Sequence, residues 1–492
     1  MSRIPFPLPL PGITYNIFSE VRPMSPESQR GIVIDMMPLT WFMPDELVDI
    51  HVREWNSAYA ITKLGTSAAR ILPTEIDPNI EAERKAQRSL LALMENSQTG
   101  SDTFGAMIGK IYPQNTGGEK SGSENWMAKR YGTAGDNITV SVTHESNTVT
   151  IITFFGTQRM YVQTLPGATM TEETVAVSTA QLIELCKDNM LIDTVADPNS
   201  SVAQLRLGAS RLSGGDNGDV GTKSERLQEF LDKASTTAWH TIALSIDPED
   251  DGYAQSRSVF RSWLRQLNND KNEERHGVVA GLFSDENAGM DSDQIDVICQ
   301  DAEWISSYWL GAENTVRLFA GRSAGASPNA TTSSRTIQNV TNVRPVRTPR
   351  QQIDDDARGL QVIVEADDGT YQLQQDVNSF VSIVPDKNIQ WRFNQTKRGI
   401  NDTKTRWNTM WRTQHQSRTP RNDDGLIAIR GDVDHLLTRQ ESEGIMTDHD
   451  ESKITVSYDP NDPRGAIADL RNIMYVNAIE HIRFNMGITW AG

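Results

Sequence analysis

Cysteine is almost missing from this chain of 492 residues, which has only Cys186 and Cys299. At most one disulfide can form, which excludes a disulfide-dense secreted scaffold and predicts two reduced, buried thiols. Long apolar runs are missing too. No stretch reaches the ~18 uninterrupted apolar residues that a membrane helix needs. The opening MSRIPFPLPLPG is broken by Pro5, Pro7, Pro9 and Pro11, so it does not read as a signal peptide. A soluble chain made in the cytoplasm, with no direct membrane insertion, is expected. Basic charge is scarce: 47 Lys plus Arg stand against 65 Asp plus Glu, a formal net charge of −18. Phosphate contacts need clustered cations, so nucleic acid is not an expected partner. The eight histidines show no i, i+3 or i, i+4 pairing and have no cysteine near them, so neither a metal site nor a cofactor is expected.

Core-forming residues are present. The hydrophobic fraction is 37%, with 11 Trp and 13 Phe, and at about 150 residues per domain the length allows about three domains. Residues 1–12 read as a proline-stiffened arm. Ile13, Tyr15 and Ile17 then alternate with polar residues as in a strand, and a Pro/Ser/Glu stretch separates them from a fully apolar strand at 31–37. Residues 79–97 have helical spacing (Ala82, Ala86, Leu90, Leu93). From about 100 to 215 the texture is β-rich, with strands at 137–142 and 148–154 and one helix at 178–191, where Ser178 and Gln181 have capping-box spacing. This reads as an inserted domain. Residues 222–320 alternate helix and strand, which predicts a parallel or mixed sheet, with Ser224 as a helix cap. Residues 326–352 read as a linker. A hairpin over 361–373, helices at 394–412 and 424–441, and strands near 453–458 and 470–477 follow. The chain ends on an alternating Ile482, Phe484, Met486, Ile488, Trp490 pattern.

Three motifs suggest chemistry, each weakly. Gly321-Arg322-Ser323-Ala324-Gly325 fits the G-x-S-x-G of a serine-hydrolase elbow, with a strand-like Val316-Arg317-Leu318-Phe319 before it. Small residues at that spacing also let two elements pack closely, and no triad context surrounds His415, His435, His449 or His481. Asp247 to Gly252 resembles the start of a calcium loop, but Ser258 stands where a bidentate Glu belongs. Gly215 to Ser224 hints at a phosphate loop without a strand leading into it. A serine hydrolase and an acidic binding module are the rival readings these features leave.

Residues 392–421 carry Arg392, Lys397, Arg398, Lys404, Arg406, Arg412, Arg418 and Arg421 against Asp402 alone, a local +7 (8 − 1). Such a stretch is a solvated helix face, a docking surface for an acidic partner or, third, a nucleic-acid contact in which Trp407 and Trp411 stack, though the rest of the chain would repel phosphate. The strand-like ends need a partner as well, because an isolated alternating strand is an open edge.

Several segments resemble the contractile tail sheath proteins of phages and related injection machines. Pro11-Gly12-Ile13, Arg30-Gly31-Ile32-Val33 and Pro38-Leu39-Thr40-Trp41 resemble the family's opening arm and first strand. Tyr131-Gly132-Thr133-Ala134-Gly135-Asp136-Asn137-Ile138 resembles its "PGxxGNxI", and Leu212-Ser213-Gly214-Gly215 its "L.GG". Ala320 to Ala326 is similar to "AGxxAGA", Gln375-Asp376-Val377-Asn378-Ser379-Phe380-Val381 to "QDINTLV", and Asn477-Ala478-Ile479-Glu480-His481-Ile482 to "VDAMEKIY". Lys397 to Asp402 stands at the "RVLD" helix start, with Gly399 and Asn401 as departures. Residues 282–300 and 405–420 match less well.

The resemblance implies a structural subunit and not an enzyme. The fold it implies is multidomain α+β: a core α/β domain built from N- and C-terminal parts, an inserted β-rich domain and terminal strand arms. The divisions expected are an arm at 1–25, core at 26–99, insertion at 100–215, α/β domain at 216–350, C-terminal core at 351–480 and a second arm at 481–492. It further implies stacked hexameric rings around an inner tail tube protein, with baseplate and tail terminator proteins as further partners, in a virion tail sheath assembled in the host cytoplasm. The arms, carrying Ile13, Tyr15, Ile17, Ile482, Phe484, Met486, Ile488 and Trp490, would add strands to neighbouring subunits. Lys397, Arg398, Lys404, Arg406 and Arg412 are the candidate tube-facing residues.

Overall fold

A computed structural model describes residues 31–37, 39, 41–51, 108–171, 173–244, 252–270, 275–282, 302–310, 313–337, 348–384, 387–462, 465–470 and 473–477. Both strand arms, the 79–97 helix, the turn at 247–251 and Cys299 lie outside the described residues.

Seven strands form a mixed sheet in the order Leu360–Gln361, Ile305–Leu310, His276–Leu282, Thr241–Leu244, Ile32–Met37, Ile108–Pro113, Val48–His51. Every neighbouring pair is parallel except the last, Val48–His51 against Ile108–Pro113. Ile32–Met37 is apolar throughout except Asp35 because it is buried on both faces, as inner parallel strands are. Side chains alternate between two cores. Val33, Ala243 and Val278 face a core completed by Val316, Phe319, Ala320 and Ala324 of the helix Glu313–Gly325. Ile34, Ile242 and Val279 face the opposite core, closed by Phe230 of Lys223–Ser235 and Phe260 of Tyr253–Arg265. The result is three layers, with strands supplied from both sides of the insertion.

Local sequence sets the helix starts, with two adjustments to the expected caps. Thr222, not Ser224, caps Lys223–Ser235. Its Oγ1 accepts from the Glu225 N–H at 3.3 Å while the Glu225 carboxylate accepts from the Thr222 N–H at 2.9 Å, a reciprocal box. Thr179–Asp188 begins after Ser178 as expected, but the Ser178 side chain makes no capping bond. The Ser201 carbonyl of the neighbouring loop accepts from the Thr179 N–H instead, at 3.3 Å. Within the expected linker, Thr348 and Gln351 form another capping box and start the helix Pro349–Ala357.

The chain leaves the central sheet after Pro113 and returns near residue 221. The exit and return run antiparallel and exchange backbone hydrogen bonds at Thr116/Asp219, Glu119/Asp216 and Gly122/Ser213, making a two-stranded neck. Gly218 (φ +66°) is needed there, since a Cβ would lie 2.3 Å from the Thr116 carbonyl oxygen.

Beyond the neck, six antiparallel strands run in the order Val202–Arg206, Thr174–Ser178, Gln158–Met170, Thr148–Phe155, Ile138–Glu145, Gly208–Arg211. The two outermost strands are successive pieces of one chain segment, bent at Gly208 (φ +102°), so the sheet curls back on itself as a barrel. One core residue comes from outside: Trp41, fully buried, packs in the barrel core with Trp126, Ile138 and Leu212. Its neighbour Phe42 packs in the core of the central sheet and exchanges both backbone hydrogen bonds with Tyr131. Two consecutive residues thus pin the two domains together.

The C-terminal part has its own small core. Ile429, Val433, Leu436 and Leu437 of the helix Asp423–Ser442 pack with Met446, Ile454, Trp407 and Trp411. The helix Asn394–Met410 and two short sheets, Ile454–Tyr458 with Ala466–Leu470 and Met446–Thr447 with Met474–Tyr475, complete it.

Candidate functional site: the C-terminal domain and its junction

The serine-elbow motif does not form an elbow. Gly321 to Gly325 is the last part of the helix Glu313–Gly325, and Val316 to Phe319, expected as a strand, is the preceding part of the same helix. The pattern Val316, Phe319, Ala320, Ala324 is a helix face turned to the core. Arg322 is buried and donates to the carbonyls of Thr336 at 3.1 Å and Thr332 at 3.4 Å. Ser323 therefore has no strained strand-to-helix turn to expose it. Among the described residues there is no group of three or more His, Cys, Asp or Glu side chains able to hold a metal ion, and no helix is long and apolar enough to cross a membrane.

The basic stretch divides into two sets. Arg398 donates to the Asp376 carboxylate and to the Ala330 carbonyl, both at 2.7 Å. Lys397 lies 3.6 Å from the Glu303 carboxylate and 4.7 Å from the centroid of the Trp391 ring. Arg406 pairs with Asp402 at 2.7 Å, one helical turn away, and with Glu443 at 2.6 Å. Arg392 pairs with Asp356 at 2.8 Å. These four are turned into the subunit. Lys404, Arg412, Arg418 and Arg421 are exposed, the last stacked over Tyr458 at 4.6 Å. Of the five candidate tube-facing residues, Lys404 and Arg412 are exposed, while Lys397, Arg398 and Arg406 are more buried and bind this chain's own acids.

The inward set anchors the C-terminal domain to the central sheet. Asp376 is 4% exposed and accepts from Arg398, from Asn394 Nδ2 at 2.9 Å and from the Thr332 N–H at 3.0 Å. Asn394 Nδ2 also lies 3.0 Å from Ser306 Oγ, a hydroxyl on a central-sheet strand that shares a hydrogen bond with His276 Nε2 at 3.0 Å. Burial pushes the Asp376 carboxyl up, but the Arg398 guanidinium and the hydrogen bonds from Asn394 and Thr332 outweigh it and hold it at about 2. Burial and the neighbouring Arg398 and Lys397 charges push His276 down to about 3, against a smaller opposing pull from Asp376. At neutral pH the junction is a carboxylate held by a guanidinium, beside an uncharged imidazole.

Gly399 has a place in this packing. A Cβ there would sit 2.7 Å from the Tyr475 ring, so the glycine lets the helix Asn394–Met410 lie directly on the strand Met474–Tyr475. Sequence reasoning missed Asp376, Asn394, Ser306 and His276 as a group, because the four are spread over 118 positions (394 − 276) of chain. The one local signal was Asp402, the sole acid in the basic stretch and four residues from Arg406.

The architecture is multidomain: a layered α/β body, a tethered barrel and a helical C-terminal unit latched by charge. The C-terminal region of the chain is similar to phage tail sheath proteins. Residues 386–489 match the phage tail sheath C-terminal domain. The fold is similar to that of the sheath tail protein Lin1278 from Listeria innocua, with TM-score 0.69 and 19% identity over 92% of this chain and 93% of that one. It is also similar to the sheath tail protein DSY3957 from Desulfitobacterium hafniense, with TM-score 0.63 and 18% identity over 95% and 100% of the two chains. The Bacillus subtilis (strain 168) protein YqbK is 24% identical over 369 residues, covering 73% of this chain and 76% of YqbK.

Proposed function

We propose that this chain polymerises as stacked hexameric rings around an inner tube, exchanges strands through its terminal arms, and contracts to drive the tube through a cell envelope. The observation that carries this reading is the hairpin Ile454–Tyr458 with Ala466–Leu470. Among the described residues neither strand has a second partner, so the hairpin offers open edges to an incoming strand. The residues Ile482, Phe484, Met486, Ile488 and Trp490 at one end, and Ile13, Tyr15 and Ile17 at the other, have the alternation such an added strand needs. Head-to-tail additions do not close, and so build a filament. Backbone hydrogen bonds keep copies connected while their bodies tilt, and descent from a metastable extended lattice makes contraction irreversible.

The tube protein would meet the outward basic set, Lys404 and Arg412 with Arg418 and Arg421, where charge sets register more than affinity. Baseplate and terminator proteins would bound the polymer, with assembly in the host cytoplasm. Deleting residues 482–492 should leave a folded monomer with unchanged melting temperature and abolish sheath tubes in negative-stain micrographs. Regular tubes from the truncated chain would overturn strand exchange by this arm.

A further inference from the structure

The glycine-rich segment that hints at a phosphate loop in the sequence begins instead as the returning strand of the neck, from Gly215 to Asp219. Inside it stands Asn217-Gly218, the one Asn-Gly pair in the chain. Glycine leaves the nitrogen that follows an asparagine side chain unshielded by a Cβ. The Gly218 N–H takes no part in the backbone ladder of the neck, and donates to Asp216 Oδ2 at 3.2 Å. On the other side of the pair, Asn217 Oδ1 accepts from the Thr133 N–H at 2.9 Å and from Thr133 Oγ1 at 3.3 Å. The Asn217 main-chain carbonyl accepts from Asn115 Nδ2 at 3.0 Å.

These contacts set three functions around one side-chain amide. Gly218 N is a nucleophile adjacent in the chain to Asn217 Cγ, so attack closes a five-membered ring and needs no second molecule. Asp216 is an exposed carboxylate bonded to the proton that must leave that nitrogen, the position of a general base. The two Thr133 donors point at the oxygen on which negative charge develops. We propose that Asn217-Gly218 is a self-modifying site, at which the folded neck converts its own asparagine to aspartate and isoaspartate with water as the co-reactant. Gly218 N bonds Asn217 Cγ and gives its proton to Asp216 Oδ2, while the Thr133 donors hold the tetrahedral Oδ1 anion. The Cγ–Nδ2 bond then breaks, and Nδ2 leaves as ammonia with the proton that Asp216 returns. Water opens the resulting succinimide at one carbonyl or the other. Either product places a new carboxylate between Asp216 and Asp219, and the isoaspartyl product adds a methylene to the main chain within the joint between barrel and body.

The test follows tryptic peptide 212–223, bounded by Arg211 and Lys223, in which Asn217 is the one asparagine. The full chain is incubated at mildly alkaline pH, either folded or unfolded in guanidinium chloride. Amide-to-acid conversion is read by mass spectrometry, and isoaspartate by labelling with an isoaspartyl methyltransferase. The folded chain should convert at least about tenfold faster than the unfolded one, in which Asp216 and Thr133 are no longer placed. Asp216→Ala is a change at an exposed position whose backbone bonds to Glu119 remain. It should keep the wild-type melting temperature and lose the folded-state excess, and Thr133→Val, which keeps the N–H donor, should lose part of it. Folded wild-type protein that converts no faster than the unfolded chain overturns the proposal. So does folded Asp216→Ala protein that converts at the wild-type rate. If that variant does not fold, the wild-type comparison decides by itself.

Discussion

The inserted barrel and the C-terminal domain are joined to the same central sheet by different physics. The barrel is held by backbone and hydrocarbon: the two-stranded neck from Thr116 to Gly122 against Ser213 to Asp219, the Phe42/Tyr131 bridge, and Trp41 seated in the barrel core. The C-terminal domain has a backbone bridge too, with the Asn378 and Asn394 N–H groups donating to the Arg392 and Asp376 carbonyls, but what distinguishes its joint is buried side-chain charge and hydrogen bonding centred on Asp376, Arg398 and Asn394. A backbone-and-apolar joint is insensitive to protonation and costs a cavity to break. A charged joint is directional, and removing one partner leaves the other buried without its counter-charge. The barrel should therefore move as one body with the sheet, while the C-terminal domain is the part that a change in charge can release.

Trp41→Ala offers the hardest test of the first joint. It removes a fully buried indole and should cost about 3–5 kcal/mol in urea unfolding, with the barrel and central sheet losing protease resistance together. If the barrel alone became labile, the two would not be one cooperative unit. Asp376→Ala probes the second joint and should cost about 3 kcal/mol, since Arg398 keeps only its bond to the Ala330 carbonyl. Here the cleavage sites should appear between the central sheet and the helix Asn394–Met410, with the barrel intact. Barrel loss at the same denaturant concentration would erase the contrast.

The sequence made the hydrocarbon joint partly legible and the charged one hardly at all. Ile32–Met37 reads as a doubly buried strand because apolar continuity is a property of neighbouring residues. The helices at 394–410 and 423–442 announce themselves by period. Trp41 stood within a segment resembling the family's first strand, but which core takes its indole depends on where residues 126 to 212 fold. The basic stretch looked like an exposed surface because its acids, Glu303, Asp356, Asp376 and Glu443, lie far away in the chain. Charge counted in a window cannot reveal a partner outside it. The same limit explains the elbow motif: Gly321 to Gly325 matched a pattern of residue types, and only the helix beneath it shows that Ser323 is never put on a turn.

Acid should distinguish the two joints by the smallest of these effects. An unfolded histidine takes up a proton near pH 6.5, whereas His276 in the junction resists until about pH 3, chiefly because it is buried and next because Arg398 and Lys397 stand beside it. Between those values the unfolded chain binds more protons than the folded one, so stability falls as pH falls, by about 1.4 kcal/mol per unit. From pH 6.5 to 5 the junction should lose about 2 kcal/mol, read as earlier release of the C-terminal domain in proteolysis at rising urea. Asp376, held at about 2 against its ordinary 3.8, adds to the loss only below pH 3.8, where its unfolded counterpart begins to protonate first. His276→Gln removes the titrating ring and should flatten the slope above pH 4 while leaving the neutral-pH stability closer to wild type than Asp376→Ala does. An unchanged slope in that variant would place the acid sensitivity elsewhere in the chain, and the charged joint would then be no more proton-sensitive than the neck.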